Sequence, residues 1–149
     1  MKSRALLVPL AGLVLCGCST APLSIVSDRQ VYSPVSLHHY PVRIEAVDHS
    51  GNLESPVFLE PGLHEMTIAA PPQSGFREPV LKNYTLNLAP CTRYYVAAYR
   101  RTSLTRDWTL IIEAQERVAG CDPEQEWQKA GRTPPAETPA GPAAVIVGG

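Results

Sequence analysis

Between residues 41 and 122 the chain alternates apolar and polar positions with the period of a strand. In PVRIEAVD, Val42, Ile44 and Ala46 fall on one face and Arg43 and Glu45 on the other, and DHSGN supplies turn residues directly afterwards. In SPVFLEPGLHEMTIAA an apolar run of Val57, Phe58 and Leu59 meets Pro61 and Gly62. Proline presets φ and glycine accepts a positive φ, so that pair favours a tight turn. Met66 and Ile68 then alternate with Glu65 and Thr67, and the segment reads as a hairpin. NYTLNLAP places Tyr84, Leu86 and Leu88 on one face, while CTRYYVAAYR and DWTLIIEA read as longer strands with Trp108, Leu110 and Ile112 aligned. About six to seven short strands without a long helix predict an all-β chain, a small antiparallel β-sandwich over residues 41–122.

One helix is predicted, over residues 123–130 in CDPEQEWQKAG. Asp122 suits the N-cap, Pro123 the first helical position, Gln125 a capping box, and Gly131 the closing position. Trp127 is its only large side chain for docking. Residues 131–149 are dominated by Pro, Ala and Gly and cannot bury enough apolar surface to offset the entropy of ordering. They are expected to form a disordered tail, with Val145, Ile146 and Val147 as its apolar cluster. Residues 18–40 are polar, with Pro22 and Pro34, and read as a tether that ends in a first edge strand.

The N-terminus has a different pattern. Met1, Lys2, Ser3 and Arg4 form a short positive start, and an apolar stretch runs from Ala5 to Leu15, too short to span a bilayer. This is the layout of an export signal over residues 1–17. The order Leu15, Cys16, Gly17, Cys18 resembles the lipobox of bacterial lipoproteins. The resemblance implies that Cys18 becomes the acylated N-terminus and that Cys16, preceded by the large Leu15, is discarded. Ser19 after it implies sorting to the outer membrane, on its periplasmic face, anchored by lipid alone. Two or three acyl chains make such anchoring long-lived. Of the four cysteines, Cys91 and Cys121 then remain in an oxidising compartment, where two leftover cysteines read as one disulfide.

Removing residues 1–17 takes Lys2 and Arg4 and no acids from a chain of 13 basic and 14 acidic side chains. The balance stays slightly acidic, which argues against nucleic acid as a partner. Arg100, Arg101 and Arg106 in YRRTSLTRDW are the densest positive group and the candidate binding loop.

Catalytic and metal signals are weak. Asp48, His49 and Ser50 hold the letters of a hydrolytic triad, yet neighbours in a turn cannot stack as nucleophile, base and orienter. HEMTI at 64–68 places Ile68 where a zinc-protease motif needs its second histidine. His38, His39, His49 and His64 have no metal-ligand spacing, so neither a metal nor another cofactor is expected.

FLEPGLHEMTIAA, LNLAPCTRYYVAAYR and WTLIIEAQERVAGC together resemble small periplasmic lipoproteins with a transthyretin-like or PEGA-like β-sandwich. The resemblance implies a fold and a location without an enzymatic activity. The expected function is therefore a non-catalytic, lipid-anchored domain that binds or supports an envelope protein or polysaccharide. The rival reading is an envelope hydrolase in which His64, Glu60 or Asp107 converge in a pocket.

Overall fold

The computed structural model describes residues 24–28, 38–52, 54–72, 78–102, 104–133 and 147–148 of the chain. Among them lie β1 (Ser24–Ser27), β2 (His39–Tyr40), β3 (Arg43–Val47), β4 (Ser50–Gly51), β5 (Val57–Leu59), β6 (Gly62–Ala70), β7 (Val80–Leu88), β8 (Thr92–Tyr99), β9 (Thr109–Arg117), α1 (Pro123–Lys129) and β10 (Val147–Gly148). In one sheet β5, β1, β8 and β9 lie side by side. There β2 shares with β1 the edge of β8 that faces away from β9: β1 takes Arg93, Tyr94 and Tyr95, and β2 takes Ala98 and Tyr99. The second sheet has the order β10-β7-β6-β3-β4. Among the described residues the fold is an all-β sandwich with one short helix.

The expected alternation builds the core. Met66, Ile68 and Ala70 of β6 and Tyr84, Leu86 and Leu88 of β7 face Tyr94, Val96 and Ala98 of β8 and Trp108 and Leu110 around the start of β9. Each fully buried side chain of this size contributes about 1.5–3 kcal/mol of transfer free energy, so this interlayer cluster is the main source of stability. Trp108 is also held by its polar atom, since Nε1 donates to the Val80 carbonyl at 3.2 Å. The Tyr84 ring packs tilted against it with centroids 5.5 Å apart, and the Tyr84 hydroxyl accepts the Leu110 N–H at 3.1 Å.

Several expectations need correction. The expected tether over residues 18–40 contains Ser24–Ser27, which is a fully buried strand between β5 and β8, and its pairing with β8 is parallel. Ile25 and Val26 point to opposite sides of the sheet and both are buried. In β3, Ile44 pairs with Ile68 but Ala46 pairs with Thr67, so Glu45 is an extra residue. Such a bulge reverses the inward phase: Val47 is buried in the core, and Ala46 leaves the face on which alternation placed it. Pro61 and Gly62 do turn the chain, but among the described residues β5 pairs with β1 alone, and β6 pairs with β3 and β7. The turn is a corner between sheets and not a hairpin. In the expected disordered tail, Val147 and Gly148 pair with Thr85 and Tyr84 as a two-residue strand; residues 134–146, with Val145 and Ile146, lie outside the described residues.

The helix spans Pro123–Lys129 with Asp122 as N-cap, whose carboxylate accepts the Glu124 N–H and the Gln125 side-chain amide, each at 3.0 Å. Gly131, at φ 64, closes it: Gly131 N–H donates to Gln128 O and Arg132 N–H to Trp127 O, the paired bonds of a Schellman end. The side chain it buries is Glu126, paired with Lys129 at 2.6 Å, whereas Trp127 is only half-buried. Just beyond, Arg132 Nη1 donates to the Pro61 carbonyl at 2.8 Å. Gly62 makes room for that guanidinium: at φ 127, a Cβ built on it would overlap Arg132 Nη1 and stand 2.9 Å from Cζ.

Candidate functional site

Strand directions give the sandwich two ends. β1, β6 and β8 begin, and β5, β7 and β9 finish, at the end that carries Ser24. The opposite end gathers the ends of β6 and β8, the starts of β3 and β7, and the residue 100–108 loop.

An open cleft of about 370 Å³ lies at that opposite end, walled by Pro41, Val42, Arg43, Ala70, Pro71 and Pro72, with Pro79 across from them. Its walls are rigid for a local reason. The prolines have fixed φ, and Val42 and Ala70 are held in the core. Arg100 fixes the floor: Nη2 donates to the Pro71 carbonyl at 2.5 Å, and its guanidinium lies 5.1 Å from the Tyr40 ring. Among the described lining residues Arg43 is the one that carries a charge. It also borders a second cleft with Asp28, Glu45, Asn52, Glu54 and Ser55, and it pairs with Glu45 at 2.5 Å in an exposed position. The arrangement can hold an apolar group against prolines and offer a guanidinium at the rim to an acidic one.

The candidate arginine loop is divided by the structure. Arg100 is 3% exposed and committed to Pro71 and Tyr40, so it is a scaffold residue and not a loop ligand. Tyr94, Val96, Ala98 and Arg100 continue one inward phase of β8, a signal present in the sequence. Arg101 and Arg106 are exposed.

The histidines separate into two places. His39 Nδ1 lies 2.8 Å from Glu113 Oε1, across β8, and both His38 and His39 meet Tyr99 edge-on. His64, buried on β6, meets Asp48 Oδ2 through Nδ1 at 2.7 Å and the Glu60 carbonyl through Nε2 at 2.8 Å. Among the described residues no group of three or more His, Cys, Asp or Glu is placed to hold a metal ion. Asp48 and His49 have φ of 47 and 67 and connect β3 to β4, as a two-residue hairpin turn requires. Asp48 also accepts the Glu65 N–H at 3.0 Å. Burial alone pushes the Asp48 carboxyl upward, but the His64 and Glu65 hydrogen bonds and the attraction of His64 and His49 outweigh it and hold it below the ordinary carboxylate range. This cluster ties a turn to β6.

Of the hydrolase trio, Glu60 brings only its backbone carbonyl to His64, and Asp107 belongs to the opposite end. There Lys82 donates to Asp107 at 2.5 Å and to the Trp108 carbonyl at 2.6 Å. The Lys82 hydrogen bond and charge lower the Asp107 carboxyl below its usual range.

Cys91 and Cys121 stand at disulfide distance, with Cα atoms 5.5 Å apart. Cys91, fully buried at φ 56, opens the turn into β8, and the Val118 N–H donates to its carbonyl at 2.8 Å. Cys18 lies outside the described residues. No helix among the described residues is long and apolar enough to cross a membrane.

Comparison of the chain with protein-family models, curated proteins and solved structures found no match. The class it defines is therefore that of its fold, an all-β sandwich bearing a cysteine pair at disulfide distance.

Proposed function

We propose that the chain is a lipid-anchored protein of the outer membrane's periplasmic face, acylated at Cys18, whose non-catalytic sandwich binds an envelope component in the proline-walled cleft. The observation that carries the reading is the cysteine pair at disulfide distance. Such a pair persists in an oxidising compartment, which agrees with the export signal and the Leu15, Gly17, Cys18 order. The cleft supports binding over chemistry, since its walls are prolines and aliphatic side chains with Arg43 at the rim. Concave, mostly apolar sites with a few placed polar groups are the usual form of a ligand site.

Crosslinking in living cells tests it. A photoreactive residue at Pro72 or Pro79 should capture one envelope protein or glycan, with capture reduced by Arg43→Ala and absent from Gln115, which lies on the end remote from the cleft. Equal capture from all three positions would refute the cleft as the binding site.

A further inference from the structure

The corner that joins the two sheets, Leu59, Glu60, Pro61 and Gly62, lies at the end where β1 begins. It is rigid, since Pro61 is buried and Arg132 occupies the space above Gly62. Two large apolar side chains flank it in the open: Phe58, 56% exposed on the outer face of one sheet, and Leu63, 66% exposed on the outer face of the other. The opposite end has exposed apolar groups as well, Leu81, Tyr99 and Leu104, so exposure alone does not choose between them.

Chain length does. β1 is fixed from its first residue: Ser24 is fully buried, its hydroxyl donates to the Ala89 carbonyl at 2.9 Å, and its Cα partner is Leu59. Cys18 precedes Ser24 by six residues, a link that reaches about 22 Å when fully extended. Ser24 is level with Thr92, and the seven steps of β8 from Thr92 to Tyr99 rise about 23 Å, with the turn from Arg100 to Trp108 still beyond them at the far end. A domain resting on its far end would hold Ser24 beyond the reach of a lipid on Cys18. From the geometry we infer that the end carrying Ser24 docks on the phospholipid surface that holds the Cys18 acyl chains, with Leu63 and Phe58 as its apolar contacts. The inference rests on the lipid-anchor reading above. It turns the proline-walled cleft away from the membrane, and the exposed Glu60 between the two apolar side chains keeps the contact at headgroup depth.

The test uses the full lipidated chain purified from a bacterial host and reconstituted into phosphatidylethanolamine–phosphatidylglycerol vesicles. A fluorophore is attached in separate preparations at Leu63→Cys and Leu104→Cys, both exposed positions, and quenched with a headgroup spin-labelled lipid. Intact mass of each preparation reports the acyl chains. With acylation present, the expected result is loss of fluorescence at position 63 and none beyond the soluble background at position 104. Acylated protein with equal quenching at both positions, or stronger quenching at 104, would overturn the docking and leave the anchor standing. Protein with no acyl chain on Cys18 would overturn both.

Discussion

Replacing Cys91 and Cys121 together with Ala should cost the domain a large share of its stability. The two cysteines are 30 residues apart in sequence, and closing a loop of that length removes unfolded-state entropy worth about 3.6 kcal/mol at 25 °C in the loop-entropy argument. A small domain has about 5–15 kcal/mol in total. The loss should lower Tm by roughly 15–25 °C. Alanine is the informative replacement at Cys91. That side chain is fully buried, and a serine hydroxyl there adds an unsatisfied group at about 1–3 kcal/mol. Urea unfolding followed by circular dichroism, with and without reductant, gives the comparison. The oxidised wild type should unfold well above the Ala variant, and the reduced wild type should fall close to it. Labelling of the unreduced, denatured protein should find no thiol at either position. A variant within about 1 kcal/mol of wild type, a difference too small for loop entropy, or ready labelling of Cys91 or Cys121 would refute the reasoning.

Three further perturbations probe the scaffold. Tyr84→Phe keeps the packing against Trp108 but removes the acceptor of the Leu110 N–H; thermal unfolding should show a loss of about 1–3 kcal/mol. Gly62→Ala should destabilise through both its φ of 127 and the overlap with Arg132, and part of the loss should vanish in an Arg132→Ala background, as a double-mutant cycle would measure. Asp48→Asn tests pH linkage: the folded carboxyl lies below its unfolded value, so its contribution is present above about pH 4 and lost as pH falls through the folded value. The stability gap between wild type and variant should therefore shrink on acidification from neutral pH, as Tm against pH would record.

The faces of β6, β7, β8 and β9 were legible because a period of two survives wherever a strand has one buried face, as Met66, Ile68, Tyr84 and Leu86 show. Where a strand is buried on both faces the pattern fails. The Ser-Ile-Val-Ser segment of β1 carries only two large apolar residues, and they point to opposite sides, so it blended into a polar tether. A bulge is equally silent: Glu45 looks like an ordinary outward residue until pairing with Ile68 and Thr67 reveals the extra position. Turn chemistry identified the bend at Pro61 and Gly62 but not its destination, which depends on β5 pairing with β1 across a long separation. The helix was readable from its caps, while the burial of Glu126 next to a half-buried Trp127 was not. The cleft was invisible because Pro41, Pro71 and Pro79 come from separate segments and meet only after the sheet forms.

Intact mass spectrometry of the membrane-bound protein, without prior delipidation, tests the central claim most directly. The account predicts one mature species that begins at Cys18, carries acyl chains in thioether and amide linkage, and loses them when Cys18 is replaced by Ala. A mature chain that still contains Gly17, or an unmodified Cys18 thiol, would contradict it.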